Sequence, residues 1–293
     1  MRSLLTVFLF LCCLPSTVYA TQTLTNLQPI QGFWKVWGDG HAEVAIYELS
    51  TERYGERREG YAVSIVVTEP WNVAKSVKSD QAQGPDVVPA IKHNLIRHFQ
   101  TGIYDYHTMT STFSALASHE NVAQHGGLKV TFSAQEWCGQ SFHALELKPD
   151  ATLSAHLSYF ESDPRGQMRL APLLTEDHLW LAARGFKNTP IPKVLVRSTY
   201  DVRIHHAPLE PLALSTQRSE RTLSIQTPRG DFTFTLGASP HEPLLGWTTP
   251  WNERAQLISA KRVPYWKLNS EAGLQELIDL GLKSASTRLK RTP

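Results

Sequence analysis

The chain has 293 residues, with 29 lysines and arginines against 27 aspartates and glutamates, and 3 cysteines. That length can bury a large core without disulfide staples. A near-neutral balance, with basic clusters as short as RYGERR and RLKR, gives no ground for nucleic-acid recognition.

The N-terminus, MRSLLTVFLFLCCLPSTVYA, carries Arg2, an apolar run from Leu4 to Leu14, Pro15, and the small residues Val18 and Ala20 before Thr21. This is the pattern of a cleaved export signal over 1–20 and predicts a periplasmic or secreted protein. Lipidation at Cys12 or Cys13 is disfavoured, since Leu11 or Cys12 stands where a small residue is preferred. No later stretch supplies the twenty apolar residues of a transmembrane helix. Cleavage leaves 28 basic against 27 acidic residues, because only Arg2 is lost, and leaves Cys138 as the single cysteine. A disulfide within the mature chain is then excluded.

QGFWKVW (31–37) reads as a first strand and GDGH as a turn. Ala42 to Thr51 and Gly60 to Thr68 read as strands joined by a glycine- and charge-rich bend. Along the first of these, Val44, Ile46 and Glu48 share one face and Ala45, Tyr47 and Leu49 the other, so both faces are partly apolar. Glu69 to Pro89, broken by prolines and a Gly-Pro pair, reads as a long loop. Strands are predicted again at Ala90 to Phe99, Thr101 to Ser114, Leu128 to Trp137, Ser141 to Leu147 and Thr152 to Phe160.

LTEDHLWLAARG (174–185) is a short helix, with Thr175 as cap, Glu176 and Asp177 in the first turn, and Gly185 at the end. Lys193 to Arg203 is predicted as a strand. RTLSIQTPRGDFTFTLG is the clearest hairpin, turning at Pro228 to Asp231 with Leu223, Ile225, Phe232 and Phe234 on one face. After Ser270, EAGLQELIDLGL places Leu274, Leu277 and Ile278 at helical spacing, predicting a second helix with its apolar side against the sheet. The predicted fold is mainly β: a large antiparallel barrel or curved sheet with two short helices, spanning 21–293 as one domain or as two β-modules meeting near 165–190.

YELSTERYGERREGYAVSIVVTEPW, TGIYDYHTMTSTF, KVTFSAQEWCGQSFHAL and RVPYWKLNS together resemble a family of secreted bacterial proteins with no characterised activity. The resemblance spans nearly all of the mature chain, and the EWCG and TGIY-Y segments are its most specific parts. A looser, architectural similarity is to periplasmic carriers of lipids and lipoproteins, whose curved sheets wrap an apolar cavity.

Three sets of residues bear on chemistry. In QEWCGQSFH, a strand through Cys138 places Glu136 and the thiol at the end of an apolar face, and Gly139 permits a bend or close approach. A thiol enzyme there would use Cys138 as nucleophile, His143 as base and Glu136 as orienter, although a carboxylate against the thiol would raise its pKa. A lone cysteine on such a strand is more often a buried packing residue. In TGIYDYHTMTSTF, Tyr104, Tyr106, Thr108 and Thr110 share a hydroxyl-bearing face that is more often sheet surface under a loop but could line a pocket, with Trp137 among the 8 tryptophans as a further ligand-binding candidate. The 12 histidines show no helical metal-site spacing, so no metal is expected, and neither G-x-S-x-G nor a phosphate loop occurs. No cofactor is expected. The leading expectation is extracytoplasmic binding or carriage of an apolar or amphipathic ligand such as a lipid, followed by a structural or protein-interaction role with an envelope protein, and then by cysteine catalysis. A carrier predicts a hollow interior; an interaction protein predicts a filled one.

Overall fold

A computed structural model describes residues 27–282; the predicted export signal lies outside them. The strands are β1 (Ala42–Arg53), β2 (Glu56–Asn72), β3 (Val77–Lys78), β4 (Val87–Thr101), β5 (Tyr104–Ala115), β6 (Gly127–Glu136), β7 (Gly139–Leu147), β8 (Thr152–Ser158), β9 (Arg165–Leu170), β10 (Val194–Val196), β11 (Pro211–Ala213), β12 (Ser215–Arg218), β13 (Thr222–Thr227), β14 (Gly230–Thr235), β15 (Gly246–Thr248) and β16 (Arg254–Val263). Four short helices accompany them: α1 (Phe33–Trp37), α2 (Leu179–Arg184), α3 (Thr199–Ile204) and α4 (Leu274–Asp279). The protein is mainly β, as the alternating runs imply.

Fourteen strands form one antiparallel sheet in the order β12-β13-β14-β15-β16-β1-β2-β4-β5-β6-β7-β8-β9, with β3 as a side pair on β2. Strands from both halves of the chain therefore join one sheet. Its middle is the pairing of β1 with both β2 and β16. The predicted hairpin is present, with Leu223 opposite Phe234 and Ile225 opposite Phe232, all four buried.

The sheet curls around the segment between β9 and β12. From α3, Tyr200 contacts Phe132 of β6 at a ring separation of 6.1 Å and Trp251, beside β15, at 5.6 Å. These strands are far apart in the sheet order. From α2, Trp180 meets Phe232, Phe234 and Trp247. Burying a Leu or aromatic side chain contributes about 1.5–3 kcal/mol, so this insertion is a main source of cohesion. The interior is consequently filled: beside Tyr47, His93, Trp180 and Trp247 a void of only about 10 Å³ remains, room for one water at most.

The buried carboxylates have partners. Arg97 meets Glu253 at 2.7 Å, and the Trp247 indole donates to the same carboxylate at 2.7 Å. Arg184 reaches Glu43 at 2.7 Å. Asp177 accepts from Ser198 Oγ at 2.8 Å and the Thr199 amide at 3.0 Å, while Glu176 accepts from the Ser198 amide and pairs with Arg229. Burial nevertheless pushes Glu176 up to about 7, against the opposing pull of Arg229.

Several expectations are corrected. FWKVW is a helix, not a strand: Phe33 and Trp37, four apart, share a face under either period, and in the fold they pack on Phe186. The loop after Glu69 is shorter, since β2 runs to Asn72 and β4 begins at Val87. Lys193 to Arg203 holds only the three-residue β10 before turning into α3, whose start is fixed by Asp177. Among the described residues there are four short α-helices, not two. The helix after Ser270 does not pack its apolar stripe on the sheet, because Leu277 remains 42% exposed and the anchor is Leu280, at 5%.

Candidate functional site

The meander β1-β2, β4-β5, β6-β7, β8-β9 brings four hairpin tips to one end of the sheet. At each tip a large apolar side chain is exposed: Tyr54, Ile103 (82%), Trp137 (70%) and Tyr159. Tyr54 and Gly55 both have positive φ, 58° and 73°, as a two-residue hairpin turn between twisted strands requires. A Cβ added at Gly139 would lie 2.5 Å from Tyr159 Cγ, so the glycine allows the β8-β9 tip to close on the β6-β7 tip. This is the close approach read from the sequence.

The sequence candidates sit at this end, in an arrangement other than the predicted one. Cys138 is in the β6-β7 turn and exposed, not buried in a strand face. Its amide donates to Glu136 Oε2 at 3.1 Å, and the Glu136 carboxylate, by hydrogen bond and negative charge, holds the thiol above its ordinary range. His143 is elsewhere, four residues along β7 from Gly139, about 13 Å at strand rise. It faces the interior, bonded to Ser154 Oγ at 2.8 Å, with burial lowering it to about 3. Cys138 and Glu136 are thus brought together and His143 is not, so the base-assisted thiol is not assembled. The buried Ser154–His143 pair makes no triad either, since His143 Nδ1 has no hydrogen-bond partner.

Tyr104, Tyr106 and Trp137 do converge, with Tyr104 at 6.1 Å from Tyr106 and 6.4 Å from Trp137 between ring centroids. Tyr106, however, is buried and stacked on Phe99 at 5.0 Å, and its hydroxyl bonds Tyr54 and Arg53. The hydroxyl-bearing face of β5 is interior, with Thr108 and Thr110 buried beside it, so its side chains are packed inside rather than spread over an open pocket.

The opposite face of β5 does line one. A groove of about 490 Å³ runs over the outer surface of the sheet, bordered by Ile96, His107, Met109, Ser133, Phe142 and Leu157. That is within the range of small-molecule sites. Its outward row, apolar except at Ser133, follows the register: Ile96 pairs with Met109, Met109 with Ser133, Ser133 with Phe142 and Phe142 with Leu157. Paired residues in an antiparallel sheet point to the same side. Phe142 is 44% and Leu157 62% exposed. Two residues nearer the tips, His98, His107, Gln135 and Gln140 form a parallel polar row, in which His98 is oriented by Asp105 at 2.7 Å. The sequence signal was available in the alternation of His107 and Met109 with the hydroxyl residues, but which face was outermost depended on the insertion.

Among the described residues, no group of three or more His, Cys, Asp or Glu is arranged to hold a metal ion. Nor, among the described residues, is any helix long and apolar enough to cross a membrane.

No protein-family model matches the chain, and no curated protein matches it significantly. Among solved structures it is similar to a β-barrel-like protein of the domain of unknown function DUF1849 from Brucella abortus, at 9% sequence identity and a TM-score of 0.44, over 76% of this chain and 98% of that one. A likeness of this size transfers no residue role.

Proposed function

We propose that the protein is a non-catalytic binding protein of the extracytoplasmic space that holds an amphipathic molecule in the groove on the outside of its sheet. The observation that carries this reading is the groove itself, an uncovered apolar row beside a polar row. The filled interior moves the expected ligand site from inside the barrel to its outer surface. Export is supported by the N-terminal sequence pattern, and a binding role by the separation of His143 from Cys138.

Native mass spectrometry of protein purified from its own host, together with uptake of a fluorescent acyl probe, tests the proposal. Bound amphiphile and probe uptake are expected, with uptake lost in Phe142→Ser/Leu157→Ser. Absence of both ligand and uptake, or uptake indifferent to the double substitution, would overturn it.

A second reading, recognition of an envelope protein, is favoured by the exposed tips Tyr54, Ile103, Trp137 and Tyr159, because aromatic anchors are enriched in protein interfaces. Crosslinking in the native envelope supports it if one partner dominates and is lost in Trp137→Ala.

A further inference from the structure

The apolar row of the groove is directional. At one end Ile96 packs against the buried cluster of Val44, Ile46, Val63 and Leu280, which Leu282 also packs against. At the other end the register continues from Leu157 to Arg165 on β9, which is exposed. Outward-facing cations elsewhere on these strands are matched with carboxylates: Lys92 with Glu69 at 2.8 Å, Lys129 with Glu146 at 3.6 Å and Arg169 with Asp150 at 2.6 Å. Among the described residues Arg165 has no such partner.

We infer that the groove selects a single-chain amphiphile with an anionic head, the carboxylate or phosphate resting on Arg165 and the chain running over Leu157, Phe142 and Met109 toward Ile96. This rests on the groove being the ligand site. From Ile96 to Leu157 the row crosses four strand spacings, about 19 Å, so it suits one extended chain. The apolar cluster around Leu280 lies at the tail end, and the guanidinium supplies fork-shaped donors for an anionic head. Apolar contact provides most of the affinity, and the unmatched charge chooses the head group.

Laurate and monolauroylglycerol, each below its critical micelle concentration, separate these contributions in calorimetric titrations of the full protein. Laurate is expected to bind roughly tenfold more tightly than the neutral ester, the scale of one exposed charge-assisted contact. Arg165→Gln should erase that preference without changing monolauroylglycerol affinity, and Arg165→Lys should restore part of it. Arg165 is exposed, so these variants are expected to fold. Equal affinities in the unaltered protein, or equal losses for both probes in Arg165→Gln, would overturn head-group selection while leaving the groove reading intact. If neither probe binds, both fall together.

Discussion

At the scale of single residues, Cys138 combines accessibility with a neighbouring carboxylate that disfavours its ionised form. It is exposed in a hairpin turn, yet the Glu136 carboxylate disfavours the thiolate, which is the reactive form. Iodoacetamide should therefore alkylate Cys138 in the folded protein more slowly than free cysteine at pH 7.5, and Glu136→Gln should raise the rate severalfold. A thiol already faster than free cysteine, or one indifferent to Glu136→Gln, would contradict this account. The clash between carboxylate and thiol was legible in QEWCGQSFH; the exposure was not, since a lone cysteine on a strand is expected to be buried. A strand reading assigns Cys138 to a face, whereas β6 stops at Glu136. Nor could alternation alone reveal that His143 bonds Ser154 on the inner face of the sheet, because its partner lies on the next strand.

At the scale of elements, strands were legible and their boundaries with helices less so. The hairpin at Pro228 to Asp231 and the strands around Tyr47 and Ile65 followed from alternation, which survives because each face meets a uniform environment. By contrast α1 and α3 are six residues or fewer, too short for a 3.6-residue period to separate from a 2-residue one. They owe their existence to distant partners, Phe186 for α1 and Asp177 for α3. The groove shared this obscurity: His107 and Met109 could be assigned to a common face, but only the insertion of α2 and α3 makes that face the outer one. Buried and exposed leucines of the helices should accordingly differ in worth. Leu179→Ala, on α2 and fully buried, should lower stability by about 2–5 kcal/mol. Leu277→Ala, on α4, should change it by less than about 0.5 kcal/mol. Urea unfolding at pH 7.5 compares them, and similar losses would show that the insertion does not organise the core.

For the molecule as a whole, the filled interior fixes the response to acid. Burial holds His93, His143 and His178 down at about 3 and His125 at about 4, from an ordinary value of 6.5. The unfolded chain thus binds more protons at these sites. The stability they contribute is present above pH 6.5 and is lost as the pH falls toward 3. Asp163 and Asp201, lowered by Arg203 and His205 respectively against the opposing effect of burial, also contribute stability that is lost at low pH. Glu176 and Asp177, raised by burial, act oppositely: the Glu176 contribution is present below pH 4.5 and is lost as the pH rises through about 7. The histidines and lowered aspartates outnumber the two raised carboxylates, so Tm should drop steadily from pH 7 to pH 4; a flat or rising profile would refute the balance. The position of β1 has a separate, kinetic consequence. One of its neighbours, β2, is the next strand in sequence, while the other, β16, is the last of the sheet. A chain made from its N-terminus therefore carries an unpaired central edge throughout synthesis, and unpaired edges invite association with other chains. Native assembly completes only when the final strand arrives, so a truncation before Arg254 would leave an open seam at the centre of the molecule, with aggregation competing against folding.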